Sequence, residues 1–230
     1  ALGWVFATAW LAGTFWWLFI SMHIYGGLAS PLAGAAVLAL AAFLALYYAI
    51  SLGIFSALAP SQRALAAIIF AALWLLAELA RGMWWTGFPW GASGYAHVEG
   101  PLSALARSVG VYGICAAAAA LAMLLAQLRA SDLRNPRAWA LTAAVAIALT
   151  ALWWQRAQAI ANPSASSSTP LTLALLQGSI PQDEKFQPGS GIPMALQWYS
   201  DQLRNAKEQL VVAPETAIAL LPQQLPPDYL

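Results

Sequence analysis

Charge is the scarcest commodity in this chain. Asp, Glu, Lys and Arg together make up 8% of its 230 residues, against roughly 25% in soluble domains. A globular core does not explain that gap, because a sphere of this size still needs a polar surface. No charged side chain precedes Arg63, and no lysine precedes Lys185. The net charge of +1 gives no bulk electrostatic case for a nucleic-acid partner. One cysteine, Cys115, excludes an intrachain disulfide. Two isolated histidines, His23 and His97, with a single cysteine make no metal site. Nothing in the sequence calls for a cofactor. The chain starts at Ala1 inside an apolar run, without a basic leader or cleavage signal, and ends in a Pro-rich stretch. It therefore reads as a piece of a longer protein at both ends.

What is present is hydrophobic: 61% of residues, with 12 tryptophans, a residue that suits the headgroup boundary of a bilayer. Crossing the hydrocarbon takes about 20 apolar residues as a helix. Five runs qualify, at about 2–22, 32–58, 64–80, 102–128 and 138–154. Turn signals separate them: Tyr25-Gly26-Gly27 to Pro31, then Pro60 to Arg63, Arg81-Gly82, and Arg129 to Arg137. The turns at 60–63 and 129–137 fall on one side by alternation and carry Arg63, Arg129, Arg134 and Arg137. The other side carries Arg81, Arg107 and Arg156. Short basic loops favour the cytoplasm. This reading places everything after Arg156 on the periplasmic side of a bacterial inner membrane.

Residues 1–160 hold ten charged side chains, and the much shorter stretch 161–230 holds nine. That asymmetry divides the chain into a membrane domain at 1–160, a Ser- and Pro-rich linker at 161–170 and the beginning of a soluble domain at 171–230. Leu171–Leu176 has the composition of a buried strand, and Gln177–Gly191 is a Gly/Pro loop. Leu196, Tyr199, Leu203, Ala206 and Leu210 recur at helical spacing over 193–210. A second short strand over 210–213 stops at Pro214. Strand, helix, strand opens an α/β unit.

Glu215 follows that second strand. In α/β folds reactive groups gather where strands end. A carboxylate there serves either as a general base, given a pKa raised by burial, or as a solvated loop residue. Within the membrane domain, Glu78 and Arg81 stand at i,i+3 near the end of a span. They read as a structural pair on one helix face, although ionisable groups in spans also mark function. Met83 to Trp90 forms an aromatic loop, an interfacial belt or the lining of an acyl-chain entry, with Gly87, Phe88 and Trp90 as its substrate-facing candidates. Cys115 inside the fourth span is expected to be structural. His97 and Glu99 are expected to pair at the surface, and Lys185 to be solvated.

Several segments, taken in order, resemble the apolipoprotein N-acyltransferase family. Leu175-Leu176-Gln177-Gly178-Ser179-Ile180-Pro181-Gln182 with Lys185-Phe186 is similar to the first strand and loop of that family's nitrilase-like domain. Pro214-Glu215-Thr216-Ala217 resembles the segment carrying its catalytic glutamate. Glu78 to Gly82, Thr86 to Trp90, Gly94-Tyr95 and Gly100 to Leu102 are similar to its membrane-domain loop. Ala213 and Phe186 stand where family members often carry Trp.

The resemblance implies a polytopic α-helical membrane bundle followed by the N-terminal part of an α/β domain, an αββα nitrilase-like sandwich. It implies Glu215 as the catalytic base, with the family's Lys and Cys lying beyond Leu230, so that this piece alone is inactive. Two early membrane helices and the final one are also expected elsewhere. The implied reaction moves a fatty acyl chain from a membrane phospholipid, through a Cys thioester, to the N-terminal amine of a diacylated apolipoprotein. A membrane-tethered amidase of the wider nitrilase group, acting with water as acceptor, is the enzymatic alternative. A transporter or lipid-binding scaffold is the non-enzymatic one, and the uncharged first two spans argue against it.

Overall fold

The computed structural model describes residues 1–58, 60–129, 132, 136–161, 170–225 and 229, without the side chains of 137, 138, 141 and 159–161. The expected linker at 161–170 and the Arg134 and Arg137 side chains fall almost wholly outside the described residues. The chain divides into two compact units, Ala1–Ser164 and Ala165–Leu230.

The first unit is helical. Helix α1 (Leu2–Thr14) and the short α2 (Trp16–Ile20) are followed by a π-helical turn at Ser21–Tyr25. Then come α3 (Ser30–Leu58), α4 (Arg63–Met83), α5 (Ala106–Ala126) and α6 (Pro136–Ala161). Among the described residues, three helical stretches are long and apolar enough to cross a membrane: Ser30–Leu58, Arg63–Met83 and Pro101–Ala126. The first expected span is a pair of helices, Leu2–Thr14 and Trp16–Tyr25, that together are long and apolar enough to cross but are bent by 54°. The Thr14 hydroxyl donates to the Trp10 carbonyl at 2.9 Å, a back-bond that competes with the ladder and bends helices. The chain leaves helical geometry at Phe15. The expected fifth span falls on α6, whose side chains at 137, 138, 141 and 159–161 lie outside the described set.

Helix α4 runs through Arg81-Gly82 to Met83, two to three residues past the stop expected there. A charge normally ends an apolar helix at water. Arg81 does not need water, because its side chain is buried and each guanidinium nitrogen is hydrogen-bonded, as set out below. Helix α5 is preceded by a 3₁₀ turn at Pro101–Leu105 and is kinked at Gly110, whose φ of 63° only glycine adopts without strain.

The core of this unit is Ala7, Leu11 and Phe15 of the first stretch against Val37, Ala41, Leu44, Ala45 and Tyr48 of α3 and Ala77 of α4. Small residues let the α1 and α3 backbones approach closely, as helix packing in lipid requires. At one end of the unit, Arg63 donates to Asp132 at 2.7 Å and Gln127 donates to the Arg63 carbonyl. The turn before α4 and the turn after α5 therefore lie together. At the other end, the Arg156 guanidinium of α6 donates to the Ser103 carbonyl.

In the second unit, β1 (Leu173–Leu175) and β2 (Leu210–Val212) pair in parallel, Leu173 with Leu210 and Leu175 with Val212. Helix α7 (Gly191–Asn205) connects them. It stops at Asn205 rather than at 210. The residues that follow make a different set of bonds: Gln209 N–H donates to the Thr172 hydroxyl, and the Gln209 side-chain oxygen accepts from Thr172 N–H. That exchange aligns β2 with β1. Ala195 and Tyr199 are the buried side chains on α7. Tyr229 returns to this helix, its hydroxyl donating to the Leu196 carbonyl and its own carbonyl accepting from Arg204.

Candidate active site

Parallel strands put both of their carboxyl ends on one edge of the sheet. The loops that leave β1 and β2 there enclose a hollow of about 200 Å³ lined by Gln177, Ser179, Lys185, Tyr199, Glu215 and Thr216, among others. Strand β2 stops at Pro214, which has no N–H for a ladder. Ala217 N–H donates back to the Pro214 carbonyl at 3.1 Å, closing a turn whose second residue is Glu215. Tyr199 fixes the facing loop from α7: its hydroxyl accepts from Gly178 N–H at 3.2 Å.

Two non-glycine residues in the wall, Ser179 (φ 50°) and Thr216 (φ 53°), hold left-handed backbone, which stores about 1–3 kcal/mol each and gathers at functional sites. The Glu215 main-chain carbonyl accepts from the Thr216 hydroxyl at 2.7 Å and from Lys185 Nζ at 3.4 Å. Lys185, expected to be solvated, is thus a lining residue aimed at the Glu215 turn. Its ammonium also stands 5.9 Å from the centre of the Phe186 ring. The Glu215 carboxylate itself is exposed. Among the described residues no cluster of His, Cys, Asp and Glu fits a metal ion.

Gly87, Phe88 and Trp90 lie in the first unit, in the loop after α4. The organising group there is Arg81. Its guanidinium donates from Nε to the Tyr48 hydroxyl at 3.0 Å, from Nη1 to the carbonyls of Phe88 (2.6 Å) and Trp90 (2.7 Å), and from Nη2 to Glu78 Oε2 (2.8 Å). Glu78 Oε1 accepts from Ser93 N–H at 3.1 Å. Both side chains of the ion pair are wholly buried. A charge in such surroundings persists only when its hydrogen-bonding capacity is filled, and here α3, α4 and the loop all contribute.

The network extends further. Trp74 Nε1 donates to the Ser93 hydroxyl, and Gly94 N–H donates to Cys115 Sγ at 3.0 Å. Cys115 is buried. Tyr48, Trp74 and Ser93 were not singled out from the sequence; a tyrosine in the middle of an apolar span was the available signal, since its hydroxyl needs a partner there. His97 and Glu99 form no ion pair in this structure, contrary to expectation. The ion pairs among the described residues are Arg63–Asp132 and Glu78–Arg81. His23 lies in the π turn, with Nδ1 2.8 Å from the Leu28 carbonyl.

Of the three loop candidates, Gly87 and Phe88 are committed to the fold. A Cβ on Gly87 would sit 2.1 Å from the Gly82 carbonyl oxygen, and its φ is +77°. The Phe88 ring packs edge-on against Phe15 at 5.0 Å. Trp90 is open, 59% exposed.

Comparison with known proteins bears on the family of the chain. The family described as "Apolipoprotein N-acyltransferase N-terminal domain" matches residues 1–124. A protein of Verminephrobacter eiseniae named apolipoprotein N-acyltransferase is 62% identical over all of this chain. Proteins of the same name from Ralstonia nicotianae and Bordetella bronchiseptica are 41% and 38% identical over 98% of it. The chain covers 44%, 42% and 44% of those three relatives, less than half of each. A matched profile over more than half of the chain, with whole-chain identity at this level, means that the chain belongs to the apolipoprotein N-acyltransferase family.

Proposed function

We propose that this chain supplies the membrane anchor and the catalytic base of an enzyme that moves a fatty acyl chain from a phospholipid to the N-terminal amine of a diacylated lipoprotein. The observation that carries this reading is the place of Glu215, in a tight turn at the carboxyl edge of parallel β1 and β2, beside a hollow of mixed polar and apolar lining. Glu215 takes the proton of a cysteine thiol. The thiolate then attacks the phospholipid ester carbonyl, forming a thioester and releasing lysophospholipid. The lipoprotein amine attacks the thioester in turn and regenerates the thiol. Division into two steps lowers the barrier to each.

As the family resemblance implies, the thiol and the oxyanion-stabilising Lys are assigned in this proposal to the remainder of the full-length protein. That same part is proposed to cover Glu215. Leu173, Leu175, Leu210 and Val212 lie at one parity of the paired strands and are all exposed. Two strands of this kind are not stable alone in water, and a bare aliphatic face fits the inner surface of an αββα, nitrilase-like sandwich. Burial of that face would also take the neighbouring carboxylate out of bulk water.

The location proposed is the bacterial inner membrane, with the turns at 60–63 and 129–132 cytoplasmic and the second unit periplasmic. The pairing of Arg63 with Asp132 at one end of the first unit supports common placement of those two turns. Incubating the full-length protein with acyl-labelled phospholipid and no acceptor tests the chemistry. A hydroxylamine-labile acyl-protein is expected in the wild type and absent in Glu215→Gln. Equal labelling of both would remove Glu215 as the base.

A further inference from the structure

Helix α4 has 21 residues, roughly 31 Å at about 1.5 Å per residue, which matches a hydrocarbon layer of about 30 Å. With Arg63 at its first residue, the chain beyond Met83 emerges at the opposite interface. What emerges there is unusual. From Gly82 to Tyr95 there is no charged side chain. Trp84, Trp85 and Trp90 are 63%, 81% and 59% exposed. Their ring contacts are with the first unit: Trp84 near Tyr47, Trp85 edge-on to Phe43, Trp90 edge-on to Trp17 and Phe88. None of the three indole N–H groups has a hydrogen-bond partner among the described residues.

The backbone that displays these rings is strained. Trp85 (φ 54°), Thr86 (φ 74°), Gly87 (φ 77°) and Gly91 (φ 70°) are all left-handed. Bulky side chains hold such geometry only where the surroundings over-determine it. Here Gly87 N–H donates to the Trp84 carbonyl and Phe88 N–H to the Arg81 carbonyl. The Arg81 guanidinium then clamps the Phe88 and Trp90 carbonyls from within.

We propose that residues 84–90 form a rigid phospholipid-facing platform at the boundary between acyl chains and headgroups, and that Arg81 is its positioning residue. Phospholipid is the occupant the chemistry fits. An indole offers an apolar face for acyl chains and one N–H donor for an ester carbonyl. A loop with no charge offers nothing to steer a charged protein partner, and the length of α4 sets it at the right depth. The platform would hold the ester region of the acyl donor in register, so this inference rests on the donor proposed above.

The experiment uses the full-length protein labelled with fluorotryptophan in phosphatidylcholine nanodiscs, with the three resonances assigned by single Trp→Phe variants. Spin-labelled phospholipid carrying its label beside the ester is expected to broaden all three resonances. A soluble gadolinium chelate is expected to broaden them less. Arg81→Met should disperse or shift the three resonances, with Arg81→Lys intermediate and the Trp74 resonance steady in Arg81→Lys. In mixed micelles, Arg81→Lys should raise KM for phospholipid by about fivefold while kcat changes by less than about twofold, the pattern of lost substrate binding. Broadening by the chelate but not by the lipid label would overturn the platform, since the face would then meet water or protein. Unshifted resonances in both Arg81 variants would overturn the positioning role. Lipid broadening in a protein that transfers no acyl group would leave the platform standing and sink the donor reading instead.

Discussion

Replacing Glu78 with leucine removes one half of a fully buried ion pair and leaves two donors stranded. Arg81 Nη2 loses its acceptor at 2.8 Å, and Ser93 N–H loses its acceptor at 3.1 Å. A hydrogen bond between charged groups is worth about 1.5–3 kcal/mol, and an orphaned buried N–H costs about 1–3 kcal/mol. The sum, about 2.5–6 kcal/mol, brackets the penalty of about 3–5 kcal/mol for removing one partner of a buried pair. Glu78→Gln keeps one acceptor oxygen, for Ser93 N–H, and turns its NH2 toward the Arg81 Nη2 donor, so it loses the charge and the hydrogen bond to Arg81 and should cost about 1.5–3 kcal/mol. The double variant Glu78→Leu/Arg81→Leu separates this account from a simple ion-pair view. Replacing a whole buried pair by apolar residues is often close to neutral. Here it should stay destabilising, because the Phe88 and Trp90 carbonyls and the Tyr48 hydroxyl lose their donor too. Unfolding free energies of the full-length protein, from reversible dodecyl sulfate titration in mixed micelles, provide the assay. A Glu78→Leu cost below about 0.5 kcal/mol, the size of an ordinary surface change, would refute the reasoning. So would a double variant as stable as the wild type.

Two further predictions concern one contact in each unit. Tyr199→Phe removes the acceptor for Gly178 N–H and should cost about 1–2 kcal/mol, with faster amide exchange at Gly178 and in the 177–185 loop but not in α4. Asp132 is held below the usual carboxylate range, first by the Arg129 backbone N–H and then by the Arg63 side chain. A depressed carboxylate contributes stability that is present above its unfolded value, about 4, and is lost as pH falls through the folded value. Carbon-labelled aspartate spectra should therefore show the Arg63–Asp132 contact loosening only below about pH 4. Arg63→Ala should move the Asp132 midpoint upward, and an unchanged midpoint would remove Arg63 as a cause.

The helices of the first unit were legible because hydrocarbon length and apolarity are both written in composition. Runs at 32–58 and 64–80 return as α3 and α4 within a few residues. The break at Phe15, just after the Thr14 back-bond, was not legible, because the run stays apolar on both sides of it. The overshoot of α4 past Arg81 was hidden for a related reason. Whether a charge faces water or a filled set of acceptors depends on residues as distant as Tyr48. Glu78 and Arg81 were visible as an i,i+3 pair, but their hold on the 88–93 backbone is a tertiary fact. Gly87 and Phe88, grouped with Trp90 from sequence as substrate-facing, separate in the structure into a steric necessity, a packed ring and an open indole. In the second unit the strand–helix–strand order was readable from periodicity. The end of α7 was not, since Leu210 suits the periodicity of a helix and of a strand alike, and only the Thr172–Gln209 exchange decides between them.

The role of Glu215 is the centre of the account. The most direct test is N-acylation of a diacylated lipoprotein by the full-length protein carrying Glu215→Gln, alongside Glu215→Asp. The carboxamide keeps the size of the side chain and cannot take a proton, so a loss of rate by at least about a hundredfold is expected, the lower range of general-base contributions. Aspartate should retain measurable activity. A Glu215→Gln protein that acylates lipoprotein at the wild-type rate would contradict the account.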